Sequence, residues 1–254
     1  MKEAISTSRH GPLALVGGEE FMPGNEAHDA FLVAAAQRLA ADRPAFIIAT
    51  AAARQHPELA VDTARSWFRE LGLHVEELPL RRRGQASDAG VVAVAATGRF
   101  FYLCGGDPGI VPQVLNGTPA WAAVLDAWRS GAPLAGSSAG AMALGEWTLI
   151  RERMPGDTRR RPKPGLGIVP RVAVLPHYAD FGHRWVDSAH AALAAETAVL
   201  VGVDERSAAV WSDGTWRAMG RGTVTVFGSG PALTAADGDP TPLPIPQPTG
   251  FGPA

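Results

Sequence analysis

Short apolar runs alternate along this chain with longer stretches whose apolar positions recur every third or fourth residue, as buried strands joined by helices require. Leu13-Ala-Leu-Val ends at Gly17-Gly18 and reads as a strand entering a loop. From Asn25 to Ala41, Phe31, Leu32, Ala35 and Leu39 fall on one helical face, with Asn25 as N-cap and Pro44 beyond the end. Ala45-Phe-Ile-Ile-Ala-Thr is a second strand, Pro57 to Leu71 a second amphipathic helix stopped at Gly72, and Leu73 to Pro79 alternates like a strand. Arg81 to Arg83 reads as a solvated loop, and Ser87 or Asp88 caps an Ala/Val helix to Ala96. Phe100-Phe-Tyr-Leu-Cys then runs into Gly105-Gly106-Asp107-Pro108, Thr118-Pro119 opens a helix through Trp128, and Pro133 to Ala135 is the next strand. The repeated strand, helix, strand order predicts an α/β fold: three layers, a mostly parallel sheet with helices on both faces, and a ligand site at the carboxyl ends of the strands.

The texture changes beyond residue 146. The Arg- and Pro-rich stretch Arg159 to Pro164 predicts a mobile loop, followed by a strand through Val174, a short helix from Asp187 to Ala195 and a strand from Leu200 to Val203. Ala208 to Trp211 and Trp216 to Met219, joined at Asp213-Gly214, predict a hairpin, and Thr223 to Phe227 adds one more antiparallel strand. Residues 1–11 read as an N-terminal extension, 12–230 as a single domain, and 231–254, with prolines at alternate positions, as an extended or disordered tail.

Composition narrows the functions open to such a fold. Hydrophobic residues make up 46% and charged residues 19% of the 254, a globular balance, and the net charge of -2 gives no electrostatic case for nucleic acid or an anionic membrane. Cys104 is the only cysteine, so an intrachain disulfide is excluded and a cytoplasmic setting is expected. The longest apolar run, Ala45 to Ala53, is too short to span a bilayer, and the N-terminus lacks an apolar targeting core. The dinucleotide fingerprint is absent at Gly17-Gly18, and His177, His183 and His190 match no common metal spacing, so no cofactor and no metal are expected.

Candidate chemistry sits at Gly136-Ser-Ser-Ala-Gly. A G-x-S-x-G motif after a strand and before the helix-forming Ala141-Met-Ala-Leu is a nucleophile elbow, with Ser138 at its tip and the next backbone N–H aimed at a developing oxyanion. A serine nucleophile needs a base oriented by a carboxylate. His10, His28, His56 and His74 read as partly exposed surface residues, whereas His177 follows the apolar run Val172-Ala-Val-Leu-Pro and should emerge at a strand end. Asp204 and Glu205 follow the strand Leu200 to Val203, and either can serve as the acid. No histidine follows His190, which disfavours the serine, acid, late-histidine order of an α/β-hydrolase esterase. Glu19 and Glu20 lie at the same sheet edge, as solvated loop acids or as contacts for the amino group of a peptide, and Cys104 reads as packing.

Gly105-Gly106-Asp107, Gly136-Ser-Ser-Ala-Gly-Ala, Leu175-Pro-His177-Tyr and Gly202-Val-Asp-Glu205-Arg-Ser-Ala together resemble the motif set of the serine peptidase family that contains dipeptidase E and cyanophycinase, nearer the cyanophycinase branch. The resemblance runs from about Leu13 to about Phe227. It implies a class I glutamine amidotransferase-like fold with serine in place of the cysteine, and a hydrolase that cleaves a peptide or isopeptide bond in a small peptide through an acyl-enzyme. It also implies Ser138 as nucleophile, His177 as base, Glu205 as orienting acid with Asp204 as rival, the N–H groups of Gly106 and Ala139 as oxyanion hole, and Asp107 at the substrate end of the pocket. Two positions depart from the pattern. Pro108 stands where relatives carry Gln or Asn, and Arg184 is the only arginine between His177 and Arg206, leaving Pro108 and Arg184 as candidate substrate contacts without a defined specificity. The departures keep open a non-catalytic relative that binds a small ligand or partner, and a homodimer is compatible with either reading.

Overall fold

The computed structural model describes residues 10–151, 159–228 and 230–247. In chain order its elements are β1 (Leu13–Val16), α1 (Glu26–Gln37), β2 (Ala45–Ile48), α2 (Pro57–Glu70), β3 (Glu76–Glu77), α3 (Ala89–Ala96), β4 (Phe100–Leu103), α4 (Ile110–Leu115), α5 (Pro119–Arg129), β5 (Leu134–Ser137) and α6 (Ala139–Leu144). The second half adds β6 (Gly145–Arg151), β7 (Arg160–Pro164), β8 (Val169–Leu175), α7 (Val186–Leu193), β9 (Val199–Val203), β10 (Ser207–Ser212), β11 (Thr215–Gly220), β12 (Val224–Phe227) and β13 (Leu233–Ala235). They form two sheets, one ordered β11-β10-β1-β5-β4-β2-β3 and one ordered β13-β12-β9-β8-β6-β7.

Strand periodicity of two explains how one chain covers both faces of the first sheet. Ala14 and Val16 of β1 and Phe100 and Tyr102 of β4 pack with Leu32 and Val33 of α1 and Val61, Ala64 and Phe68 of α2. Their alternates Leu13, Leu15, Phe101 and Leu103 face the opposite way, into a larger cluster that takes in Trp121, Val124 and Trp128 of α5 and the inner residues Val172, Val174 and Val201 of the second sheet. The expected parallel sheet with helices on both faces is thus β1-β5-β4-β2-β3, where every neighbouring pair is parallel. The hairpin β10-β11 extends it antiparallel from β1, turning at Asp213 and Gly214, both of positive φ.

Several expectations are corrected. Arg160–Pro164 is a strand rather than a mobile loop: it pairs antiparallel with β6 at the sheet edge, where Pro162 and Pro164 are tolerated because an edge leaves one side of the ladder without partners. The helix after Ser138 stops at Leu144 and becomes β6 without a loop, so that helix joins the two sheets. The alternating stretch Leu73–Pro79 pairs only at Glu76–Glu77, and Asn25 does not cap α1 through its side chain. Its amide is buried and donates to the carbonyls of Glu19 (2.6 Å) and Met22 (2.9 Å), fixing the loop that follows β1. The prolines of residues 231–247 hold an extended strap. Non-proline Thr241 and Gln247 use their N–H groups on Trp216 and Ile168, and Trp216 donates its indole N–H to the Pro244 carbonyl at 2.9 Å. Residues 1–9 and 248–254 lie outside the described residues, while His10 stacks on Trp128 at 4.6 Å.

His28, expected at the surface, is fully buried beside Asp29 in α1, its Nε2 3.7 Å from Asp29 Oδ1, and Trp67 donates its indole N–H to Asp29 Oδ2 at 2.8 Å. Burial pushes the His28 imidazole down to about 4 and the Asp29 carboxyl up to about 8, so both are neutral at pH 7. Between pH 4 and 6.5 the unfolded chain holds a proton on His28 and the folded chain holds one on Asp29; the counts match and the pair adds no slope to stability. Above 6.5 the unfolded pair has lost its proton while folded Asp29 keeps one until about pH 8, so stability falls across that window. We expect a loss of about 2 kcal/mol between pH 6.5 and 8 in urea unfolding. Asp29→Asn should abolish that decline, and equal declines in both proteins would refute the assignment.

Candidate active site

Ser138 sits between the end of β5 and the first residue of α6, with φ 48° and ψ −111°. This region is costly for a residue with a Cβ, and two backbone bonds hold it there: Ser138 N–H to Val16 O at 3.0 Å and Met142 N–H to Ser138 O at 2.9 Å. The flanking glycines serve close packing. A Cβ on Gly140 would lie 2.4 Å from the Leu103 carbonyl oxygen, and one on Gly136 would lie 2.5 Å from the Gly140 carbonyl carbon, so only glycine lets α6 rest on β4 and β5. The turn that this packing forces lifts the Ser138 side chain toward the open end of the sheet.

His177 follows β8 and also has a positive φ of 48°. Its N–H donates to Gly17 O at 2.7 Å, and its own carbonyl accepts from Phe181 (3.0 Å) and Gly182 (2.8 Å). The imidazole Nε2 lies 3.1 Å from Ser138 Oγ and Nδ1 lies 2.6 Å from Glu205 Oε1. A carboxylate accepts only, so Nδ1 carries the proton and Nε2 is left to accept from the serine hydroxyl. The ring stacks on Phe181 at 4.9 Å and lies flat against Gly18, whose φ is +131° and where a Cβ would approach the ring to 2.3 Å.

The two acids after β9 part company once the strand has ended. Glu205 turns to His177, and both side chains are partly sheltered, 33% and 20% exposed. Asp204 turns the other way. Its Oδ1 accepts from Ala179 N–H at 2.9 Å, and its Oδ2 accepts both the N–H and the hydroxyl of Thr223 at 2.8 Å. Both oxygens of Asp204 are thus spent on holding loops together.

Ser138 and His177 open on a cavity of about 600 Å³ that Gly106, Asp107, Pro108 and Ala139 also line. Among the described residues, the N–H groups of Gly106 and Ala139 donate to no other protein group. Asp107 folds its Oδ1 back on Gly109 N–H at 2.8 Å, and its own N–H donates to Ala51 O, which shapes the loop around Pro108. Arg184 is exposed and is not among the residues lining the cavity. Among the described residues, the arginines that line it are Arg54, Arg151 and Arg160, the last packed over the Trp185 ring at 3.6 Å. No local signal in the sequence marks these three, because they arrive from separate loops and strand ends. Glu20, read as a loop acid, lies behind the elbow, accepting from Gly105 N–H and from the Ser137 hydroxyl, both at 2.7 Å, while Glu19 pairs with Arg206 at 2.7 Å. Cys104 is buried, and burial pushes its thiol well up, as befits a packing residue.

A strand, a tight turn carrying serine and a helix, with an imidazole and a carboxylate in series behind the hydroxyl, is the layout that α/β serine hydrolases share. Compared with known proteins, residues 13–219 match peptidase family S51, and the chain belongs to that family. It is 30% identical over 165 residues to the cyanophycinases of Synechococcus elongatus and of Thermosynechococcus vestitus, covering 63% of this chain and 51% of each relative. The chain therefore spans about half the length of the curated relatives it matches. Among solved structures it superposes on a peptidase from an acI-B1 actinobacterium with a TM-score of 0.79 and 27% identity, over 92% of this chain and 98% of that one. No helix among the described residues is long and apolar enough to cross a membrane.

Proposed function

We propose that this chain is a serine peptidase that cleaves a peptide or isopeptide bond in a small peptide, using Ser138 as nucleophile, His177 as general base and acid, and Glu205 as the group that orients the imidazole. The observation that carries this reading is the unbroken series Glu205 to His177 to Ser138, at 2.6 and 3.1 Å. Ser138 Oγ attacks the scissile carbonyl carbon as its proton passes to His177 Nε2, and the oxyanion is received by the N–H groups of Gly106 and Ala139. The imidazolium then protonates the leaving amine, an acyl-Ser138 ester remains, and water hydrolyses it with His177 again taking the proton. The non-catalytic alternative rests on Pro108, which removes a side-chain amide and an N–H, and on Arg184 as the lone arginine between His177 and Arg206; Pro108 lines the cavity, and the hydrogen-bonded series of Glu205, His177 and Ser138 favours the catalytic reading.

Arg54 and Arg151, against Asp107 as the one acidic residue among the described residues that line the cavity, favour a peptide that brings negative charge. Incubation with a fluorophosphonate followed by peptide mapping should place the adduct on Ser138 and find none in Ser138→Ala. An intact wild-type protein that takes up no label overturns the reading. A panel of acidic, β-aspartyl, neutral and basic dipeptides then tests the charge preference, with the acidic and β-aspartyl members expected to turn over fastest.

A further inference from the structure

The end of β1 and the loop that follows it touch Ser138, His177 and the residue after Glu205. Val16 O accepts from Ser138 N–H, Gly17 O from His177 N–H, and Gly18 O from Arg206 N–H, next to Glu205. Two side chains of this loop join in: Glu19 pairs with Arg206 at 2.7 Å, and Glu20 reaches the segments that carry Gly106 and Ser138. Its Oε1 accepts from Gly105 N–H, at the start of the loop that carries Gly106, and its Oε2 accepts from the hydroxyl of Ser137, the residue before the nucleophile. These partners are 85 and 117 residues away in sequence, and no other side-chain group bridges the two loops among the described residues.

Resting on the reading of Ser138 as nucleophile and Gly106 as oxyanion donor, we infer that Glu20 is a positioning residue that sets the distance between them. A carboxylate next to an oxyanion hole is electrostatically unfavourable for the oxyanion, so a contribution through charge would slow the reaction. A bidentate acceptor that ties Gly105 to Ser137 does the opposite: it extends the tie between the two segments past the last β4–β5 pair, Leu103 with Gly136, before substrate arrives. An amide can replace it. In Glu20→Gln the Oε1 still accepts from Gly105 N–H, and the Nε2 group donates to Ser137 Oγ, which can accept.

Fluorophosphonate inactivation, resolved into a saturating rate and a half-saturating concentration over a range of pH, separates the outcomes. Glu20→Ala should lower the saturating rate about 100-fold with the half-saturating concentration nearly unchanged. Glu20→Gln should recover most of the rate with the wild-type pH profile. A Glu20→Ala protein that labels within about two-fold of wild type overturns the inference and leaves the Ser138 reading standing. Gln as impaired as Ala, with a displaced pH profile, overturns positioning in favour of charge, and a wild-type protein that does not label removes both readings. Should Glu20→Ala fail to fold, Ser137→Ala cuts one arm of the same bridge; a loss of about ten-fold in the saturating rate supports the inference, and an unchanged rate overturns it.

Discussion

Ser138→Ala and His177→Ala should each lower kcat on the best peptide substrate by about 10⁶-fold, and the double variant should lose no more than either one alone. The reason is that the two groups form one device. Without the hydroxyl there is no bond for the imidazole to assist, and without the imidazole at 3.1 Å the hydroxyl keeps its proton and is a poor nucleophile. Residual turnover should come from the Gly106 and Ala139 donors and from binding alone. Steady-state and single-turnover kinetics on the three variants check this. Additive losses, with the double variant slower than either single one by a further large factor, would mean that the two residues act in separate steps and that the hydrogen-bonded series is incidental.

The second large effect distinguishes two neighbouring acids. Glu205→Gln keeps the shape of the side chain but can present an N–H to Nδ1, which favours the imidazole tautomer with its proton on Nε2, where it can no longer accept from Ser138. We expect kcat to fall about 10⁴-fold with little change in melting temperature. Asp204→Asn should show the converse. It weakens the acceptor that Thr223 and Ala179 share, and we expect a loss of about 1–3 kcal/mol in stability with kcat within a few-fold of wild type. If the roles were exchanged, the kinetic defect would follow position 204.

Much of this arrangement is legible in the chain because the relevant signals are local. The strand-ending run before Gly136 and the small helix after it fix where Ser138 lies. The apolar run before Leu175-Pro-His177 puts the histidine at a strand end, and the hairpin at Asp213-Gly214 follows from residues that tolerate positive φ. The choice between Asp204 and Glu205 is not local: it depends on Thr223 and Ala179, which lie elsewhere in the chain and claim the aspartate. Glu20 is opaque for the same reason, since its partners are distant in sequence, and a lone acid after a Gly pair looks like any solvated loop residue. Composition misleads at Arg160–Pro164, where arginines and prolines suit a mobile loop and also suit an edge strand that must not recruit further partners. His28 misleads because a helix with a broad apolar face can bury a neutral imidazole, a cost that shows only in the folded environment.

Ser138 and His177 share a positive φ of 48°, a region that residues with a Cβ enter at a cost of about 1–3 kcal/mol each. A chain shaped for stability alone would carry glycine at both positions, where the same dihedrals are free of steric conflict. Under the proposed mechanism, both residues that hold the reacting atoms thus sit at positive φ. The surrounding fold, above all the α6 packing and the carbonyls of Val16 and Gly17, must supply the difference. On the proposed mechanism, stability and reactivity are opposed at two identifiable dihedral angles, and variants selected only for a higher melting temperature should converge on losing activity there first.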